Sequence, residues 1–426
     1  MKKIQELISE IKEGKYDRVL EDIYVDKNST EYQRQRYIEA LKQYQAIFGE
    51  NRVAIYSAPG RSEIGGNHTD HQGGEVIATA IHLDAIAVVS PTEDNTICVV
   101  SQGHGTTKFA IDDLAKKEEE FGQTIALIKG VVKGIQDRGY HVGGFRAYMT
   151  SDVLSGSGLS SSAAFEILIG TILSGLYNDM QISPMELAMI GQYAENVYFG
   201  KPCGLMDQMA CSVGNIIHIN FADAENLAIE KAEIDFGNFG YSICITDTKG
   251  SHADLTDEYA AVPIEMKQVA HFFGKELLKD VAEEEILSNI KDIREKTGDR
   301  AVLRALHFVE ENERVKKEIA ALKNNDMEGF LNAYKASGDS SFKYLQNVYT
   351  SKDVAHQNMS IALAVSDIML KDNGKSRVHG GGFAGTIQAF VKNEYVNAYK
   401  KQMEDVFGVG SCQVLGVRKY GGMQVM

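Results

Sequence analysis

The sequence predicts an α+β protein built in two lobes, and three observations carry that expectation. The chain has 426 residues, more than a single hydrophobic core usually serves. Apolar runs separated by Gly- and Asp-containing turns, the mark of strands and hairpins, gather between Arg52 and Val100 and return at Tyr241–Asp247 and Thr386–Val391. Helical spacing of apolar residues fills much of the rest, most densely in the charged, amphipathic stretch 262–336. No internal repeat or low-complexity tract suggests a solenoid.

Taken in order, Met1–Lys12 alternates charged and apolar residues at helical spacing and lacks the continuous apolar core of a signal peptide. Val76–Ile81 and Ala85–Val89 read as strands. Gln123–Arg138, Ala163–Tyr177 and Pro184–Tyr198 carry apolar residues three to four apart and read as helices, with a strand at Phe145–Thr150. A break near residues 222–240 divides an N-terminal lobe, 1–230, from a C-terminal lobe, 231–426. In the second lobe the pattern predicts a strand at Tyr241–Asp247, helices over 262–336 and 352–370, a glycine turn at Gly380–Gly382 and a strand at Thr386–Val391.

Composition excludes several classes of function. A net charge of −15 repels nucleic acid and anionic membrane alike. No stretch approaches the roughly 20 apolar residues that span a bilayer. The cysteines, Cys98, Cys203, Cys211, Cys244 and Cys412, are odd in number and form no Cys-x-x-Cys pair, so neither a disulfide framework nor a zinc site is expected, and a reduced cytoplasm is.

Three segments concentrate chemistry. Leu154-Ser-Gly-Ser-Gly-Leu-Ser-Ser-Ser-Ala-Ala164 follows a strand and precedes a helix, so its glycines and the free N–H groups of the helix start suit a phosphate, although an ordinary Gly/Ser connection fits the same residues. There is no Walker lysine, and Ser161 stands where a dinucleotide fingerprint needs its third glycine. Ser57-Ala-Pro-Gly-Arg-Ser-Glu-Ile-Gly-Gly-Asn-His-Thr-Asp-His-Gln-Gly-Gly74 crowds Arg61, His68, Asp70 and His71 among five glycines. A metal at His68/His71 would need a third cluster that the chain does not supply. Asp70 can accept bonds from two neighbouring sugar hydroxyls or can cap a turn. Ala194-Glu-Asn-Val-Tyr-Phe-Gly-Lys-Pro-Cys-Gly-Leu-Met-Asp-Gln208 delivers Asp207 among apolar neighbours, where it needs a partner such as Arg61; helix capping fits it equally well.

Together, Pro59–Gly74, Gly156–Ala163, Pro202–Gln208 and Gly380–Gly385 strongly resemble the galactokinase family, within the galactokinase/homoserine kinase/mevalonate kinase superfamily. Arg304-Ala-Leu-His-Phe-Val-Glu-Glu-Asn-Glu-Arg314 is similar to a C-lobe helix of that family. The resemblance runs in order from about residue 45 to beyond 390 and leaves the first 30 or so residues unmatched. It implies a two-lobe small-molecule kinase fold, a ribosomal-protein-S5-like N-lobe and a ferredoxin-like C-lobe with the active site between them. It implies ATP held by Gly156, Ser157, Gly158, Leu159, Ser160, Ser161 and Ser162, and Mg²⁺ near Ser162 and Glu195. Asp207 is implied to accept the anomeric hydroxyl proton, with Arg61 orienting it and stabilising the transferred phosphoryl group. Asn67, His68, Asp70, the backbone of Gly204 and Tyr259 match sugar-binding positions. The partners implied are a small sugar and ATP, with no nucleic acid and no membrane, for a monomer or weak homo-oligomer.

Two positions depart from the family pattern. Asn67 stands where a glutamate usually precedes the His-Thr-Asp, and Ser62-Glu63 replaces the usual Val-Asn or Ile-Asn. An amide at 67 carries no charge and both donates and accepts, so a uronic acid such as galacturonate becomes admissible beside galactose, and Glu63 is a candidate for the displaced carboxylate. A non-catalytic sugar sensor would be expected to show damage in the glycine loop or at the Arg/Asp pair, and Arg61, Ser162, Glu195 and Asp207 are all intact.

Overall fold

The structure is a computed structural model and describes every residue except 26, 154–157, 224–226 and 251–254. A two-residue strand β1 (Lys2–Lys3) leads into three helices, α1 (Ile4–Lys12), α2 (Asp17–Tyr24) and α3 (Thr30–Phe48). Two long strands follow, β2 (Arg52–Gly65) and β3 (Glu75–Pro91), then β4 (Thr96–Ser101), β5 (Gly105–Ala110), α4 (Thr124–Asp137) and β6 (Phe145–Ser151). Helices α5 (Ser161–Tyr177), α6 (Pro184–Tyr193) and α7 (Met206–Val213) precede β7 (Ile216–Asn220) and β8 (Ala228–Ala232).

These eight strands, joined by a ninth from near the C-terminus, form one sheet in the order β1-β2-β3-β6-β4-β5, with β7 on the far half of β3 and β8 beside β7. Its pairs are antiparallel except β4 with β6. The middle of the sheet is buried on both faces, and the period of two along each strand sorts the side chains. Val53, Ile55, Ile86 and Val88 point to a core shared with α1, α2 and α3, whereas Ala54, Tyr56, Ala87 and Val89 point to a core shared with α4, α5 and α6. The lobe is thus a sheet between two helical layers.

The second lobe begins at β9 (Tyr241–Asp247) and continues through α8 (Thr256–Phe272), α9 (Glu283–Ser288), α10 (Ile290–Thr297), α11 (Asp299–Lys323), α12 (Met327–Ser340), α13 (Asn358–Leu370), β10 (Gly374–Val378), β11 (Thr386–Lys392), α14 (Val396–Phe407) and β12 (Cys412–Leu415). Its antiparallel sheet runs β10-β11-β9-β12. The chain then returns to the first lobe, where β13 (Met423–Gln424) pairs with Ser57 and Tyr56 of β2.

Two expectations are corrected. The helix expected over 352–370 starts only at Asn358, because the Asp353 carboxylate accepts the N–H groups of Ala355 and His356 at 3.1 Å each, a local turn that competes with helix. The helix expected to Tyr198 is α-helical to Tyr193 and then widens into a π-turn over Ala194–Phe199. Among the described residues, no helix is long and apolar enough to cross a membrane.

Candidate active site

Arg61 and Asp207 meet in a bidentate ion pair, Nε to Oδ1 at 2.7 Å and Nη2 to Oδ2 at 3.0 Å. Arg61 lies on β2 where the register against β3 shifts between Pro59 and Arg61, a bulge that re-aims the side chain. Asp207 is in the first turn of α7, where the helix dipole favours a carboxylate. Burial pushes the Asp207 carboxyl up, but the charge and hydrogen bonds of Arg61 and the hydroxyl of Ser160 bring it below its ordinary value. It is therefore ionised at neutral pH, with its side chain 33% exposed to the cleft.

The described end of the glycine loop closes on this pair. Arg61 Nη1 donates to the Gly158 carbonyl at 2.6 Å, the Arg61 N–H donates to the Leu159 carbonyl at 3.1 Å, and Ser160 Oγ donates to Asp207 Oδ2. Gly158 has φ +71°, and a Cβ there would sit 2.7 Å from Thr386 Oγ1, so only glycine fits between Arg61 and β11. Ser160 has φ +56°, His68 φ +60° and Phe383 φ +56°, three of the twelve non-glycine residues in this uncommon region among the described residues. Gly156 and Ser157 lie outside the described residues. Ser161 and Ser162 open α5 and line a cavity of about 410 Å³ with Ala85, Gln102, Met149 and Phe165.

Ser162 Oγ donates to Glu195 Oε1 at 3.3 Å, and Lys201 Nζ stands 3.0 Å from the same oxygen. Gln208 Nε2 bridges Glu195 Oε2 at 2.9 Å and Glu166 Oε2 at 3.0 Å. Burial, with Glu195 next to it, raises the Glu166 carboxyl well above its ordinary value. A hydroxyl and a carboxylate side by side are hard oxygen donors that fit Mg²⁺, which usually takes one or two protein oxygens and completes its shell with phosphate and water. No group of three or more His, Cys, Asp or Glu side chains among the described residues forms a metal cage, at His68/His71 or elsewhere.

Asp70 and Gly204 adjoin: a Cβ on Gly204 would lie 2.2 Å from Asp70 Oδ2. Burial and the nearby Asp207 charge raise the Asp70 carboxyl, while N–H groups of its own turn lower it. His68 Nε2 donates to the Gly381 carbonyl at 2.9 Å, and burial pushes the ring down to about 4, so it is neutral. Tyr259 Oη donates to the Gly382 carbonyl at 2.6 Å with its ring against Phe383. The triple glycine therefore joins His68 of one lobe to Tyr259 of the other.

Asn67 is turned elsewhere. Its side chain is fully buried, donating to Glu63 Oε1 at 3.1 Å and the Gly380 carbonyl at 2.7 Å, and accepting from Asn347 at 2.9 Å and Ser341 at 3.2 Å. Its hydrogen-bonding capacity is spent on protein. Glu63 is buried too, paired with Arg377 of β10. Sequence reasoning missed His379, which accepts the Glu63 N–H at 3.3 Å and faces Thr386 at 2.9 Å, and the α11 residues His307 and Glu311, which hold the backbone of Asn67. The Arg304–Arg314 stretch was the sequence signal for His307 and Glu311; His379 directly precedes the Gly380–Gly382 turn.

Residues 42–91 match the galactokinase galactose-binding signature and residues 126–215 the GHMP kinases N-terminal domain. A galactokinase of Glaesserella parasuis is 33% identical over 84% of this chain and 90% of its own length. One of Clostridium tetani is 30% identical over 86% and 91%. Among solved structures, Lactococcus lactis galactokinase complexed with galactose superposes with a TM-score of 0.78 at 24% identity, covering 91% of this chain and all of that one. The mevalonate kinase of Methanococcus jannaschii gives 0.59 at 17%, over 87% and 99%.

Proposed function

We infer that this chain, which belongs to the galactokinase family and so is a sugar kinase transferring a phosphoryl group to a hydroxyl, takes galactose as acceptor and ATP as donor and makes galactose 1-phosphate. The observation that carries the reading is the Arg61–Asp207 pair, which joins the glycine loop through the Gly158 carbonyl and Ser160 and stands beside Asp70 and Gly204.

In this reading Asp70 accepts two adjacent sugar hydroxyls against the Gly204 backbone, and the anomeric hydroxyl meets Asp207. Asp207, held ionised by Arg61, accepts or orients that hydroxyl proton, while the Arg61 guanidinium offsets charge on the phosphoryl group in transit. The N–H groups at the start of α5 face the donor phosphates, and the cavity beyond Ser161 and Ser162 takes the nucleoside. Ser162 and Glu195 would hold Mg²⁺, which would neutralise phosphate charge there. Holding reactants in line contributes about 7–11 kcal/mol and a positioned base about 10²–10⁴-fold. The five free thiols support a reducing, cytoplasmic setting.

A uronate acceptor would need the amide of Asn67 to face the sugar, and that amide is engaged by four protein groups. Galactose is therefore preferred. Purified protein with ATP and Mg²⁺ should release ADP fastest with galactose in a panel with galacturonate, N-acetylgalactosamine and glucose. Faster release with another sugar rejects the acceptor; no release with any sugar, despite sugar binding, makes the chain a sensor.

A further inference from the structure

The strands that wall the 410 Å³ cavity are held from behind by the N-terminal helices. Ala85, Ser151 and Val153 face the cavity. Strand alternation sends Asp84 to the opposite face, toward α3, and Asp152, just past the end of β6, reaches the same side. There Arg36 of α3 takes both carboxylates, Asp84 Oδ1 at 2.6 Å and Asp152 Oδ2 at 3.0 Å, and its Nη2 donates to the Asp84 carbonyl at 2.9 Å. That carbonyl also accepts the Asp152 N–H at 2.9 Å. Tyr32, one turn earlier on the same helix, donates to Asp152 Oδ1 at 3.0 Å.

Arg36 is held in turn. Asp84 is fully buried and also accepts from Tyr24 of α2 at 2.9 Å and Arg418 near the C-terminus at 3.0 Å. The bridge from α3 thus rests on a fixed anion at one end and grips Asp152 at the other. Asp152 is two residues from the start of the glycine loop, and Val153 packs on β2, where a Cβ on Gly60 would lie 3.1 Å from both its methyl groups. A shift at Asp152 therefore moves the cavity wall at Ser151 and Val153. Tyr32 and Arg36 precede the matched galactose-binding signature, which begins at residue 42.

We propose that Tyr32 and Arg36 are positioning residues for nucleotide binding: through Asp152 the N-terminal helices set the cavity wall. The assignment rests on the reading that the cavity takes the nucleoside. It touches neither Arg61 and Asp207 nor the sugar loop, so its loss falls on the nucleotide and spares the sugar.

Asp152→Asn tests this strongly and Tyr32→Phe mildly, since Tyr32 is 56% exposed and its hydroxyl can go without a cost in packing. A lost charge-assisted bond corresponds to a change of about tenfold or more when fully transmitted. Calorimetric titration with a non-hydrolysable ATP analogue should show Kd raised about five- to tenfold in Asp152→Asn and about two- to threefold in Tyr32→Phe. The KM for nucleotide should rise in step, with the KM for sugar within twofold of wild type. Unchanged analogue affinity in both variants, or equal rises in both KM values, would overturn the proposal. Should Asp152→Asn not fold, Tyr32→Phe decides alone. Wild-type protein that binds no analogue refutes the underlying nucleotide reading instead, which is a different result from wild-type binding that the variants share.

Discussion

Asn67→Glu asks whether position 67 addresses the sugar or the protein. A glutamate there keeps the bonds accepted from Asn347 and Ser341, loses those given to Glu63 and the Gly380 carbonyl, and sets a second acid against Glu63. Two full charges at the present 3.1 Å contact repel by about 5 kcal/mol at an effective dielectric near 20. Protonation is the way out, and burial already pushes Glu63 up to about 7 against the pull of Arg377 and Arg61. Above that pH the variant should lose several kcal/mol from a stability of about 5–15 kcal/mol, and it should regain part of the loss on acidification. Glu63→Asn/Asn67→Glu restores one amide and one carboxylate to the contact. The assay is equilibrium urea unfolding of wild type, both single variants and the double variant near pH 8. A coupling of about 2–3 kcal/mol is expected, the upper end for residues in contact. Additive losses, or an Asn67→Glu protein as stable as wild type, would refute the engagement of the amide. The ratio of galactose to galacturonate turnover in the double variant should stay at its wild-type value; a rise would return position 67 to the sugar.

Asp207→Ala should lower kcat by about 10²–10⁴-fold or more while ATP-analogue affinity stays within about threefold; near-normal turnover would reject Asp207. Arg61→Ala should lower kcat as well, because Asp207 loses both its counter-charge and its bidentate clamp. Gly204→Ala puts a Cβ 2.2 Å from Asp70 Oδ2, so loop or carboxylate must move, and the sugar KM should rise at least about tenfold with the nucleotide KM little changed. Burial depresses His68 to about 4 and His71 to about 3, and lowers His307 and His379 as well, against an ordinary 6.5. A base depressed in the fold takes up its proton on unfolding, so this stability is full above about pH 6.5 and is lost as pH falls through the folded values. The thermal midpoint should drop steadily from pH 6.5 to 4; a flat profile there would show that these rings are already charged in the fold.

What the sequence made legible was what local pattern determines. Tyr241–Asp247 is a strand at the expected residues, and the strand before the glycine loop and the helix after it lie where the periodicity put them. The meeting of Arg61 with Asp207 was open to reasoning because a carboxylate set among Leu205, Met206 and Met209 demands a partner. The fate of Asn67 was not. Its partners Gly380, Asn347 and Ser341 lie 313, 280 and 274 residues away, and no spacing rule connects an amide to them. The same holds for the N-terminal helices: Met1–Lys12 announced one of them, but that Arg36 would bridge two aspartates behind the cavity depends on which strands become neighbours. The late start of α13 depended on Asp353 taking two N–H groups, a choice that helical periodicity does not register.

The sugar loop belongs to the first lobe by sequence and to the second by hydrogen bonding. Glu311 of α11 accepts the N–H groups of Gly66 and Asn67 at 3.3 Å each, and Asn312 accepts that of Glu75 at 2.8 Å. His307 completes the set: its Nε2 donates to the Asn67 carbonyl at 2.9 Å, which fixes the tautomer. Burial raises the Glu311 carboxyl, but His307, Arg314 and Arg377 bring it down to about 2, so the two bonds it accepts are charge-assisted at any working pH. Such bonds contribute about 1.5–3 kcal/mol each, so separating the loop from α11 costs more than any one sugar contact returns. The described end of the glycine loop and Asp207 meet Arg61 of β2, two residues before Glu63, which itself is held by Arg377 and His379 of the second lobe. Asp70 and Asp207 are thus both tied to the second lobe, Asp70 through the bonds of its loop to α11 and Asp207 through Arg61 and the neighbouring Glu63.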